Sequence, residues 1–454
     1  MSRWARSPET MPVSPARAAA FDIVLRVQQQ RAYASELLHS TRLEKLSSVD
    51  RSLATEIVMG TLRWQSRLDG AIANVSSRPI AKLDAEVLVA LRIAAYQLMF
   101  LTRIPVHAAI DESVELVKRA RKKSAAPFAN ALLRRLTEGG ASATREELPA
   151  NSPANLSSKF AHPEWLVRMW VERFGLEAAR RICAYDQQAA TTAIRVSDPA
   201  VVAELEDEGI ALAPGKLLAT ARIVVRGDVT RTRLCHEGRV LIQDEASQLV
   251  ALLVGTGRRI LDCCAAPGSK TAVLAERNPD AQIVATELHA RRAALLRQRV
   301  SAANVEVVTA DATRLQMEEE FDRVLADVPC SGTGTLARNP EIKWRLRPED
   351  LTDLHARQVA LLQAVSERLA PGGRVVYSTC SLEPEENEAV VEEVLQSSGK
   401  FRLGYCRDEL RRLSESGELA YASPDDLTSG PYLRTIPGLH PGDGFFAAII
   451  ERVS

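Results

Sequence analysis

Between residues 16 and 138, apolar positions recur at helical spacing, as in Ala19-Ile23-Val27 and Leu88-Leu91-Ala95-Leu98, and nothing alternates as a strand would. Pro79 and Pro105 break the runs, and Asp50 before Arg51-Ser52-Leu53 reads as a helix N-cap. The pattern predicts an all-α domain over 16–138, preceded by a disordered stretch over 1–15. Gly139-Gly140, the small residues after them, and Pro149 and Pro153 mark a linker over 139–159. Residues 160–245 are mixed, with a helix near 163–182 and short strands near 192–197, 222–226 and 239–243, which suits a small α+β connecting domain. From 246 to 454 strands and helices alternate. Strands are expected at 259–263, 282–287, 305–308, 323–327 and 374–378, with amphipathic helices such as 290–303 and 350–369 between them. Such alternation implies a parallel, doubly wound, Rossmann-like α/β sheet, to which 401–403 and 445–450 could add an antiparallel edge.

Composition narrows the class. A chain of 454 residues exceeds one ordinary core, and 46% hydrophobic with 26% charged residues is globular. No apolar run approaches the roughly 18–20 residues that span a bilayer, and the first fifteen residues lack the apolar centre of a secretion signal. A cytoplasmic protein without membrane contact is expected. Seven cysteines form no CxxC pair and seven histidines form no HxH or HxxxH pair, against a disulfide framework, a zinc ribbon or a metal enzyme. Net charge is zero, yet residues 1–139 hold 21 Lys and Arg against 13 Asp and Glu. A basic helical module on a mildly acidic partner suggests a handle for a polyanion.

The chemistry sits at expected strand ends, where a doubly wound sheet binds its ligand. The first strand runs into Cys264-Ala265-Ala266-Pro267-Gly268-Ser269-Lys270, a loop of small residues before a helix, neither GxGxxG nor a Walker loop. Glu287, Asp311 and Asp327 end the next three strands. Their carboxylates suit ribose hydroxyls, an adenine amino group and a methionyl amine, and S-adenosyl-L-methionine carries all three. Two cysteines follow at neighbouring strand ends, Cys330 in Asp-Val-Pro-Cys-Ser-Gly and Cys380 in Tyr-Ser-Thr-Cys-Ser. A thiol is the best side-chain nucleophile near neutral pH. Position alone leaves open which of the two attacks.

The segments DCCAAPGSKT (262–271), DVPCSGTGTLARNPEIKW (327–344) and YSTCSLEPEENE (377–388) closely resemble those of RNA 5-methylcytosine methyltransferases. VDRSLATEIVMGTLRWQSRLD (49–69), PVHAAIDESVELVK (105–118) and FANALLRRL (128–136) resemble the NusB-like RNA-binding domain of bacterial members that act on 16S ribosomal RNA. AHPEWLVRMW (161–170), EGRVLIQDEASQLVA (237–251) and RTIPGLHPGDGFFAAI (434–449) match too. The resemblance implies a methyltransferase domain over 246–454 that methylates carbon 5 of a cytosine. It assigns attack to Cys380 and product release to Cys330, with residues 264–270, Glu287, Asp311 and Asp327 around S-adenosyl-L-methionine. It implies RNA as partner, with no metal and no protein partner. Ser269 stands where a second glycine is usual, and Glu287 where Asp is frequent. DNA cytosine methyltransferases attack from Pro-Cys-Gln, whereas this chain has Pro-Cys-Ser and lacks the Glu-Asn-Val acid motif. An antitermination-type RNA-binding protein with a non-catalytic methyltransferase domain is the other alternative, against which both cysteines, Lys270 and all three acids are intact.

Overall fold

The computed structural model describes residues 13–453 apart from 41, 42, 44, 139–148 and 316–319. Most of the segment expected to be disordered, and the first half of the expected linker, lie outside the described residues, while the end of that expected linker is a helix, Pro153–Phe160. The helix of the N-terminal region already begins at Pro15. The chain divides into two compact units, residues 1–188 with 336–345, and residues 189–335 with 346–454.

The first unit is helical. Pro15–Gln30, Ser48–Arg63, Gln65–Val75, Ala85–Phe100, Val106–Arg119 and Ala126–Glu138 enclose a core containing Val24, Ile57, Leu91, Ile93, Leu116 and Leu133. Ala85–Phe100 is apolar almost all round, the composition of a central helix. Asp50 is not the cap expected for the second of these. Ser47 is: its hydroxyl accepts the Asp50 N–H at 3.1 Å, and Asp50 instead puts its charge in the first turn. The helix expected at 163–182 is two, Glu164–Phe174 and Leu176–Asp186, parted at Gly175 with φ 82°. Both pack in this unit, not with the strands that follow. Residues 336–345, remote in sequence, complete it. The Ala34 N–H donates to Glu341 Oε1 at 2.7 Å, Trp344 Nε1 to the Leu62 carbonyl at 2.7 Å, and Arg345 to the Val27 carbonyl at 2.6 Å.

The second unit holds two sheets. The smaller is antiparallel, with β1 (Thr192–Arg195), β2 (Ala211–Pro214), β3 (Ala221–Arg226) and β4 (Leu241–Ile242) in the order β2-β3-β1-β4. Strand β2, Ala-Leu-Ala-Pro, is too short and too weakly β-forming to have been read in the sequence. The larger sheet is built on β5 (Arg259–Cys263), β6 (Gln282–Glu287), β7 (Val305–Thr309), β8 (Phe321–Asp327) and β9 (Leu369–Thr379), parallel in the spatial order β7-β6-β5-β8-β9. Beyond β9 it turns antiparallel through β10 (Phe401–Leu403), β11 (Thr428–Ser429), β12 (Tyr432–Thr435) and β13 (Phe445–Arg452). β13 is no edge strand. It lies between β9 and β12, and residues 445–450 are all buried. Crossovers run one way from β5 to β6 and β7 and the other way to β8, so the topological switch falls between the carboxyl ends of β5 and β8.

Candidate active site

At the end of β5 two adjacent cysteines separate. The Cys263 thiol is buried and donates to the Leu325 carbonyl at 2.8 Å, a packing role. Cys264 takes a left-handed conformation at φ 61° and opens the loop. Burial, then the charges of Asp327, Asp262 and Glu287, push its thiol up to about 12. Gly268 has φ 106°, and a Cβ there would sit 2.7 Å from both Leu296 Cδ1 and Val300 Cγ2, so conformation and space both demand glycine. Ser269 opens the helix Ser269–Arg277, a position that asks for no special backbone freedom. Lys270 Nζ lies 2.7 Å from Asp327 Oδ2 and 5.1 Å above the Phe445 ring. Burial opposes its charge, but Asp327, Cys380 and Asp262 outweigh that and hold the ammonium above its ordinary value.

The strand-end acids fall into two groups. Asp327 faces Lys270 with Oδ2 and accepts the Ser378 hydroxyl on Oδ1 at 2.6 Å. Glu287, 2% exposed, accepts the His289 N–H at 2.9 Å and lies 3.5 Å from Arg292. Asp311 caps the turn Ala312–Arg314, accepting the Thr313 N–H at 2.9 Å and hydroxyl at 2.7 Å, bonds that hold its carboxyl below the usual range. Glu287 and Asp311 thus stand beyond the loop on the β6 and β7 side, while Asp327 belongs with the thiols.

The thiols meet because the strands are in register. Asp327 on β8 pairs with Ser378 on β9, and the chain then runs three residues to Cys330 and two to Cys380. The two sulfurs are 3.3 Å apart. That contact first, and burial second, push the Cys330 thiol far above its ordinary value.

A strand-end loop, acids on successive strands and a thiol pair at the ends of β8 and β9 accompany a helical unit in one chain. Residues 250–451 match the family described as 16S rRNA methyltransferase RsmB/F, 14–138 the NusB family, and 162–229 the ferredoxin-like domain of RsmF/B-like methyltransferases. The chain is 33% identical to the probable ribosomal RNA small subunit methyltransferase B of Bacillus subtilis, over 97% of this chain and 100% of that one. It belongs to the ribosomal RNA small subunit methyltransferase B family. The Salmonella paratyphi B member is 31% identical over 95% of this chain and 97% of its own. The crystal structure of PH0851 shares the fold, with a TM-score of 0.80 over 98% of this chain and 100% of that one at 23% identity. The protein is therefore a ribosomal RNA methyltransferase, with an all-α NusB domain, a ferredoxin-like domain and a mixed-sheet methyltransferase domain.

At this candidate site the sequence reading missed the residues that hold the cysteine loops. Ser331 and Ser381, each next to a cysteine, turn their hydroxyls 3.0 Å apart onto the carboxylate of Glu386. Asn387 accepts the Thr379 hydroxyl at 2.5 Å and donates to the Ser381 carbonyl at 2.9 Å. The signal lay in the quoted segment 377–388, whose acids carried no reading of their own. Among the described residues no cluster of three or more His, Cys, Asp or Glu could hold a metal ion, and no helix is long and apolar enough to cross a membrane.

Proposed function

We propose that the chain moves a methyl group from S-adenosyl-L-methionine to carbon 5 of a cytosine in 16S ribosomal RNA, with Cys380 as nucleophile and Cys330 serving release. The observation that carries this reading is the sulfur pair 3.3 Å apart at the ends of β8 and β9. Carbon 5 of cytosine is a weak nucleophile. A thiolate that bonds to carbon 6 shifts the ring electrons onto carbon 5 and activates it. The resemblance of segments 327–344 and 377–388 to RNA 5-methylcytosine methyltransferases assigns attack to Cys380, and the Lys270 cation interacts electrostatically with that residue. After methyl transfer, Cys330 acts through a water beside it, which takes the carbon 5 proton and passes it to solvent. The electrons of that bond restore the ring double bond and expel the Cys380 thiolate.

The donor set fits the cofactor. Glu287 and Asp311 offer acceptors at successive strand ends, and the 264–270 loop approaches with little side-chain bulk. Asp327, with both oxygens already engaged by Lys270 and Ser378, would contribute through its remaining lone pairs. When bound, S-adenosyl-L-methionine supplies a methyl group on a sulfonium, an electrophile that needs no metal.

Two cysteine variants test the assignment on RNA transcripts. Cys380→Ala is expected to abolish both methylation and covalent adduct. Cys330→Ala is expected to attack and transfer, then accumulate a nuclease-sensitive protein–RNA band on a denaturing gel. Adduct in Cys380→Ala and none in Cys330→Ala would exchange the roles. Bisulfite sequencing of RNA from cells with and without the gene locates the target, and an unchanged map would sink the cytosine reading.

A further inference from the structure

Glu386 closes the turn Pro384–Glu386 just after β9 and is fully buried. Its Oε1 accepts the Ser331 N–H at 2.8 Å and the Gln358 amide at 2.9 Å. Its Oε2 accepts the Ser381 hydroxyl at 2.5 Å and the Ser331 hydroxyl. The same Gln358 amide also donates to the Pro329 carbonyl at 2.9 Å, and the Tyr377 hydroxyl donates to the Glu386 carbonyl at 2.6 Å. A carboxylate offers about four acceptor positions, and here all are filled by neutral donors. A buried carboxyl group with every position taken is held in one orientation and holds its donors in turn. Its value lies in what it aligns. Two of its partners are the residues that follow Cys330 and Cys380.

We propose that Glu386 is a positioning residue that spans both cysteine loops and sets the separation of the two sulfurs. This rests on the thiol chemistry proposed above. Gln in its place turns one acceptor into a donor facing donors, so a loop must shift. Asp keeps the acceptors but shortens the reach by one methylene.

The test uses the full chain with Glu386→Gln and Glu386→Asp. In Glu386→Gln, kcat is expected to fall about 100-fold, the loss a misplacement of about 1 Å can produce. KM for RNA and affinity for S-adenosyl-L-methionine are expected to stay near those of the unaltered chain, while the melting temperature falls by a few degrees. Glu386→Asp should recover part of kcat. A second readout does not depend on the reaction. Diamide takes two electrons and two protons from the thiol pair, and the Cys330–Cys380 disulfide it leaves is counted by mass spectrometry. Closing the sulfurs from 3.3 Å to about 2.05 Å depends on their alignment, and the rate should drop about tenfold in Glu386→Gln. Unchanged kcat and disulfide rate would overturn the proposal. So would losses matched by an equal loss of cofactor affinity with no rescue by Asp. If the unaltered chain makes no 5-methylcytosine, the reaction proposed above falls, and the disulfide rate alone still decides for or against Glu386.

Discussion

Lys270 shows how one side chain sets the character of its neighbours. Its ammonium balances Asp327 and lies in the field of Cys380. Lys270→Met would remove the cation and leave Asp327 uncompensated, and both changes disfavour a thiolate at Cys380. Adduct formation, followed by single-turnover quench, should therefore slow, and its pH profile should move upward by about one unit or more. An unchanged profile would take Lys270 out of the chemistry. The cofactor acids are tested separately. Glu287→Ala and Asp311→Ala each leave polar ligand groups unpaired at about 1–3 kcal/mol, or one to two orders of magnitude in affinity by calorimetry. Unchanged affinity in both would refute the site. Motif and strand-end position made Cys330, Cys380 and these acids legible. Glu386 was not, because periodicity says nothing about a 3-10 turn. Of the acids at 383, 385, 386 and 388, Glu383 and Glu386 are fully buried, and only the tertiary fold turns them inward.

Elements were legible where their period was long and uniform, as in the parallel strands β5 to β8 and the helices of residues 16–138. They were obscured where long-range pairing decides the outcome. β13 is buried on both faces and so lacks the alternation that separates a central strand from an edge. Residues 336–345 were plain as a motif, but nothing local reveals that they pack with the helical unit. Lys343 lies at the centre of that packing, 1% exposed, with Nζ 3.0 Å from the carbonyls of Arg63 and Ala161. Burial pushes its ammonium down to about 7 against the pull of Asp186 and Cys183. The unfolded chain keeps that proton up to about 10.4, so between these values it binds more protons than the folded chain, and stability rises with pH by up to about 1.4 kcal/mol per unit. Below about 7 both states are protonated and the gain is lost. Four of the five tryptophans, Trp64, Trp165, Trp170 and Trp344, fall among the described residues of the first unit, so their fluorescence reports its unfolding. From about pH 7.5 to about 9, urea titrations should show the unaltered chain gaining about 1–2 kcal/mol over Lys343→Met. Parallel pH responses would show that Lys343 stays charged in the fold.

For the molecule as a whole, zero net charge hides an asymmetry: the basic residues concentrate in the NusB-type region, where a ribosomal RNA methyltransferase needs attraction to phosphate. Deleting residues 1–138 would be a poor test of that role. It would also strip Val27, Ala34 and Leu62 from the segment 336–345, which the chain enters soon after Cys330, and so mix weakened RNA binding with a disturbed cysteine loop. Surface cations separate the two effects. Arg119, Arg121 and Lys123 are exposed at the end of the helix Val106–Arg119 and in the turn after it. Arg119 lies 3.9 Å from Asp22, a distance that screening makes weak in water. Replacing all three with Gln should leave the fold and kcat at saturating RNA unchanged. Affinity for RNA should fall, and the slope of log K against log salt should become shallower by about 2, at roughly 0.7 for each phosphate no longer neutralised. Anisotropy titrations across a series of salt concentrations measure that slope directly. A slope equal to that of the unaltered chain would make these three cations a solvated surface and move RNA binding to another face of the helical unit.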